Sequence, residues 1–136
     1  MRFRAFLLLA LASAATVSGL APSTPPPKAA ASVLPWIDDD YARALSEARR
    51  KKIPIFAELW APWCHTCRSM QAFVFTDKAL SRNAGQFIWL SIDTEKEQNA
   101  PFVKKFPIRA WPSFYVIDPN TETVSADTAG TSLEDT

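Results

Sequence analysis

The chain is poor in reactive side chains. Its 136 residues include two cysteines, Cys64 and Cys67, and a single histidine, His65, all within four consecutive positions. That stock falls short of the roughly four ligands a structural zinc site takes. A c-type haem attachment is excluded too, because it needs His directly after the second cysteine and Arg68 stands there. A basic face is also missing: 15 basic side chains face 14 acidic ones, and Arg2 and Arg4 sit at the extreme N-terminus. The one basic cluster, "RRKK" at 49–52, reads as a solvated helix end favoured by the helix dipole, so nothing argues for a nucleic-acid partner. No internal repeat is visible. No apolar run reaches the ~20 residues that a membrane span needs.

What is present begins with "MRFRAFLLLALASAATVSGLA", a positive start, an apolar middle and a small-residue exit. This is the secretory leader pattern, with "ASA" at 12–14 and "GLA" at 19–21 as cleavage signals. A cleaved signal over residues 1–21 is expected, with an uncleaved anchor as the alternative. No cysteine at the exit offers a lipid-attachment site. Such a leader implies work outside the cytoplasm, periplasmic or secreted, where dithiols can be oxidised, and no stable membrane insertion after cleavage. Residues 22–35, "PSTPPPKAAASVLP", are Pro- and Ala-rich without periodicity and read as a linker. With 48% hydrophobic and 21% charged residues in the chain, the rest, 36–136, suits one globular domain, expected to be a monomer.

Within that domain "DDD" at 38–40 reads as the acidic start of a helix running through "YARALSEARRKK", with Tyr41, Ala44, Leu45 and Ala48 on one face. "IPIFAELW" (53–60) and "FIWLSID" (87–93) are apolar runs of buried-strand type. Between them a helix is expected from Cys64 to about Phe75, with Met70, Phe73 and Val74 at helical spacing. A short charged helix follows within 95–106, then a strand at 113–118, the turn "DPNTET" and a strand from Glu122 to Ala126. Ser132 in "GTSLEDT" reads as the cap of a final helix that is incomplete in this chain. Alternating strands and helices followed by a hairpin imply an α/β fold with a mixed sheet.

The cysteine spacing closes too small a loop to restrain the unfolded chain much, so a purely structural disulfide fits poorly. A redox pair fits better. At a helix N-terminus the unpaired N–H groups and the positive dipole end stabilise the Cys64 thiolate, while Cys67 lies one turn inside. Exchange chemistry uses that asymmetry: an exposed thiolate attacks and a shielded one resolves. His65 and Arg68 add cationic character. Glu58 stands inside an apolar strand on the same face as Phe56, where burial raises a carboxyl toward neutrality and suits it to relay protons. The dithiol carries two electrons by itself, so neither an organic cofactor nor a metal is required. The alternative is a thiolate-based copper metallochaperone or periplasmic binding module, since soft thiolates suit Cu(I), although Met70 alone adds a thioether nearby.

"FAELWAPWCHTCRSM" and "IRAWPSFYVID" together resemble the active-site strand and helix, and the later cis-proline segment, of the thioredoxin superfamily. The pattern around "EARRKKIPIFAELWAPWCHTC" and "VFTDKAL" is most similar to its secreted, thioredoxin-like domains, such as the C-terminal domain of a bacterial periplasmic disulfide transducer. The resemblance covers about residues 36–136. It implies a central mixed sheet flanked by helices and thiol-disulfide exchange with protein or peptide thiols, recharged by an upstream redox partner. It implies Cys64 as attacking thiolate, Cys67 as resolving thiol, Glu58 as the buried acid, and Trp63, Trp111 and a cis Pro112 as the docking surface. Two departures stand out. His-Thr separates the cysteines instead of Gly-Pro, and Trp89 occupies the strand position that often carries a lysine partner for the buried acid.

Overall fold

A computed structural model describes residues 32–130. Five strands form one sheet in the order β1-β3-β2-β4-β5: β1 Trp36–Asp38, β2 Ile55–Trp60, β3 Ile88–Asp93, β4 Ser113–Ile117 and β5 Val124–Ala129. β1, β3 and β2 run parallel, and β4 and β5 add antiparallel. The helices are α1 (Tyr41–Lys51), α2 (His65–Ser69) and α3 (Ala100–Lys105), with short 3₁₀ turns at Lys78–Asn83 and Glu97–Asn99.

The strand sequences explain the layers. In β2 and β3 alternate residues face opposite sides. Ile55, Ala57 and Leu59, with Ile88, Leu90 and Ile92, face α1 and α3, and pack with Ala44, Ala48, Phe102 and Phe106. Ala44 and Ala48 are fully covered, their small side chains letting α1 lie close on the sheet. The opposite face carries Phe56, Trp89 and Phe114, which join Trp36, Phe75 and Leu34 in an aromatic cluster. Every residue of β3 is buried, as expected of a strand covered on both faces.

Several expectations from the sequence need correction. The acidic trio does not open the helix as a unit. Asp38 ends a three-residue strand too short for periodicity to reveal, Asp39 turns the chain at φ 55°, and only Asp40 caps α1, accepting from the Arg43 N–H at 2.9 Å. Residues 32–35, read as the end of a linker, already belong to the packed unit: Leu34 is buried, and the Ser32 hydroxyl donates to the Phe75 carbonyl at 3.2 Å. The last strand begins later than expected, because Glu122 sits in the turn at φ 52° and pairing starts at Val124. The leader (1–21), most of the linker and the Ser132 cap lie outside the described residues.

The helix beginning at Cys64 also departs from its expected course. After α2 the segment Met70–Val74 widens into a π-turn, in which the Phe75 N–H reaches the Met70 carbonyl at 3.0 Å. A π-turn holds one residue more than an α-turn. Phe73 and Val74, expected on the buried face, are therefore exposed, and Phe75 takes the place in the core. At the basic end of α1, Arg49 donates to the Pro119 carbonyl at 2.8 Å while the rest of the cluster is solvated.

Leu90 lies at the centre of the sheet with no exposed surface. Leu90→Ala is expected to lower the unfolding free energy by about 2–5 kcal/mol, measured as a shift in the urea midpoint at unchanged slope.

Candidate active site

β2 ends at Trp60, and a tight turn closed by the Cys64 N–H to the Ala61 carbonyl (3.0 Å) delivers Cys64 to the head of α2. Cys64 is the N-cap residue, and its Sγ accepts the Cys67 N–H at 3.1 Å. The two sulfurs are bonded to each other at 2.04 Å. Cys64 retains 6% of its surface and Cys67 none. In this disulfide state both cysteines are buried, and the exposed attacking sulfur expected at Cys64 is not seen. The approach to Cys64 runs past Trp63, which is 55% exposed.

Glu58 is 1% exposed, on the sheet face beneath α2. It sits in register with Ser91 of β3, and Ser91 in turn with Asp38 of β1, so one polar row crosses three strands. Gln71 Nε2 donates to Glu58 Oε2 at 3.4 Å, while Oε1 has no partner among the described residues. Gln71 follows Cys67 by four residues, so the chain that carries the inner cysteine also carries Glu58's hydrogen-bond donor. Burial pushes the Glu58 carboxyl up to about 8, with the Asp38 charge adding and the Gln71 bond opposing. Among the described residues no cation offsets this. Trp89 lies opposite Phe56 instead, inside the aromatic cluster. A cleft of about 490 Å³ reaches this region from the β1 side, lined by Trp36, Asp38, Glu58, Trp60, Gln71 and Ser91 among others.

The Trp111–Pro112 peptide bond is cis. Pro112 is buried and its carbonyl accepts the Gly130 N–H at 2.8 Å, so that carbonyl is already engaged. Trp111 stacks on Trp63 with ring centroids 4.9 Å apart and planes 60° apart. The loop leading into β4 thus meets the turn before Cys64. His65 and Arg68 are exposed on α2 near the disulfide. Among the described residues no group of three or more His, Cys, Asp and Glu side chains is placed to hold a metal.

The structure brings Cys64, Cys67, Trp63, Trp111 and Pro112 to one end of the sheet and sets Glu58 behind them. Two residues of this neighbourhood escaped the sequence reading. Gln71 had a usable signal, its i+4 spacing from Cys67. Thr94, just after β3, had none, because its bond to the Trp60 carbonyl depends on the register of β2 and β3.

A family model described as thioredoxin-like matches residues 36–119, and the chain belongs to that family. Relatives include the thiol:disulfide interchange protein DsbD of Vibrio vulnificus, 27% identical over 60 residues, covering 44% of this chain and 10% of that protein. Thioredoxin M4 of the Arabidopsis thaliana chloroplast is 31% identical over 64 residues, covering 47% and 31%. The chain thus spans between about a tenth and a third of the length of these curated relatives. Among solved structures, a putative disulphide-isomerase from Bacteroides thetaiotaomicron superposes with a TM-score of 0.63 at 22% identity, covering 75% of this chain and 84% of that one. The DsbH oxidoreductase gives 0.61 at 24%, covering 82% and 83%. These structural likenesses establish the thioredoxin-like fold: a mixed sheet with flanking helices.

The raised Glu58 carboxyl has a consequence for stability. The unfolded chain loses this proton near 4.5, whereas the folded oxidised protein holds it to about 8. Between those values the unfolded state binds fewer protons, so unfolding free energy falls as pH rises, by up to about 5 kcal/mol. Urea titrations of the oxidised protein from pH 4 to 9 are expected to show that decline, and Glu58→Gln to flatten it.

Proposed function

We propose that this chain is a thiol-disulfide oxidoreductase that exchanges disulfides with protein or peptide thiols outside the cytoplasm. The observation that carries the reading is a disulfide at the head of α2, its outer cysteine, Cys64, keeping 6% of its surface and its inner one, Cys67, none. The family and its oxidoreductase relatives support it, and the secretory pattern of residues 1–21 supports the location.

In the oxidising direction a substrate thiolate attacks Cys64 Sγ. The Cys64–Cys67 bond breaks, Cys67 leaves with the electron pair, and a mixed disulfide joins substrate to Cys64. Glu58, protonated at neutral pH, supplies a proton toward Cys67 and regains one through the cleft beside Asp38 and Ser91. A second substrate thiolate then attacks the mixed disulfide on the substrate sulfur and releases Cys64 as thiolate. The substrate leaves oxidised and the dithiol holds its two electrons until an upstream redox partner accepts them. The reducing direction runs these steps backward from a Cys64 thiolate, which the N–H groups at the helix head favour, beside His65 and Arg68. Trp63, Trp111 and the Pro112 loop form the docking surface. Because the Pro112 carbonyl is engaged, backbone pairing with substrate falls to Trp111.

The test is turnover of a protein disulfide by metal-free protein with dithiothreitol as reductant. Cys64→Ser is expected to abolish catalysis, and Cys67→Ser to accumulate a substrate adduct at Cys64, visible by mass spectrometry. Wild-type turnover no faster than Cys64→Ser would sink the reading.

A further inference from the structure

Three polar side chains of the cleft beside β1 come from three different strands. Asp38, Ser91 and Glu58 stand in register on β1, β3 and β2 and face the same side of the sheet. Neighbouring strands lie about 4.8 Å apart, so the row spans roughly 10 Å between its two acids. Asp38 is exposed, and none of the ion pairs among the described residues includes it. Glu58 is the most deeply buried residue of the lining, and its Oε1 has no hydrogen-bond partner among the described residues. Lys96 is near enough to feel the Asp38 charge, but its ammonium pairs with Asp39. The remaining lining is largely apolar, with Leu34, Trp36 and Phe75.

Acids at both ends of a polar row, one buried with an unused oxygen, call for donors that carry positive charge. An apolar passage beside them calls for a stem without polar atoms. A primary alkylammonium has both, three N–H donors on a chain that can lie along apolar surface. Aromatic faces next to the cation add to the attraction. A divalent metal fits worse, because magnesium and calcium take about six or more oxygens, and no three acids of the described residues converge here.

We propose that this cleft binds a primary alkylammonium group, its nitrogen at Glu58, Ser91 and Asp38 and its stem along Leu34, Trp36 and Phe75, as the end of a lysine side chain would present it. Binding exchanges one charge for another: the carboxyl that burial keeps neutral gives up its proton as the ammonium arrives. The charge facing Glu58 is Asp38 on β1. From β3 it meets the neutral Ser91, from β4 the Phe114 ring, and from the chain after α2 the Gln71 amide. On α2 itself the cysteines are joined and do not titrate, and His65 and Arg68 are exposed. Affinity therefore rises with pH until Glu58 is ionised, at about 8.

The experiment titrates n-butylammonium chloride into the oxidised full chain and follows the ¹H–¹⁵N signals of the indoles. Trp36 and Trp60 line the cleft, while Trp63 and Trp111 at the disulfide end serve as references. Saturable shifts of Trp36 and Trp60 are expected, with a midpoint on the order of millimolar at pH 8 and several-fold weaker at pH 7. Asp38→Asn, at an exposed position, is expected to weaken the midpoint at least about fivefold, and Glu58→Gln to abolish the pH dependence. Tetramethylammonium chloride, with the same charge and no N–H, is expected to leave both indoles unmoved. Lys28 stands four residues before Ser32 in the sequence, outside the described residues, and is the chain's own source of such a group. The titration is therefore repeated on Lys28→Ala. A response in that variant alone assigns the cleft to this chain's own lysine, and a response in both proteins assigns it to an amine from outside. No saturable shift in either protein, an equal response to tetramethylammonium, or an unchanged midpoint in Asp38→Asn would overturn the inference. None of these readings uses disulfide turnover, so the oxidoreductase reading stands or falls separately.

Discussion

The parallel pairing of Ile55–Trp60 with Ile88–Asp93 is the constraint on which the remaining geometry depends. Its register puts Ile55, Ala57 and Leu59 against the helices and leaves Phe56, Glu58 and Trp60 on the other side. A slip of one residue would exchange those sets and bring the carboxylate into the main core. The same register sets Trp60 opposite Asp93, so that Thr94 can bond its carbonyl, and it aims the end of β2 at the turn that presents Cys64. The dithiol is thus placed by a strand pair rather than by its own helix, which is short.

That arrangement accommodates a group that would otherwise be costly. A carboxyl with one long hydrogen bond and no cation is stable in such a site mainly as the neutral acid. The cleft beside it gives the proton somewhere to go, while the sheet row through Ser91 to Asp38 keeps a second acid near enough to disfavour ionisation. The tryptophans play a different part. Trp36 and Trp89 are packed into the aromatic layer, whereas Trp63 and Trp111 lie outside it, at the end of the sheet that carries the disulfide.

Much of this was legible in the sequence because it follows from period and composition. The alternation around Phe56 and Glu58 announced a buried acid, α1 showed its Tyr41-Ala44-Leu45-Ala48 face, and β3 read as a run with no polar break until Ser91. The Cys64–Cys67 spacing at a helix start was equally plain. What escaped notice depends on long-range pairing or on local departures from ideal periods. β1 is three residues long and gains its identity only from β3. Phe75 replaces Phe73 in the core because of a turn that no pattern of side chains signals, and Thr94 acquires its bond to the Trp60 carbonyl only once β2 and β3 are aligned.

The wide turn at Met70–Val74 joins two frames of reference. Ahead of it, the orientation of the cysteine-bearing turn is dictated by the end of β2. Behind it, Phe75 is held by Trp36 and Phe114 on the sheet. An uninterrupted α-helix would lock the two together, since each residue advances the chain by about 100° of rotation. One surplus residue absorbs a mismatch of that size. The azimuth of the disulfide and the seating of the aromatic anchor are therefore related by a fixed offset, different from the one a plain α-helix would impose.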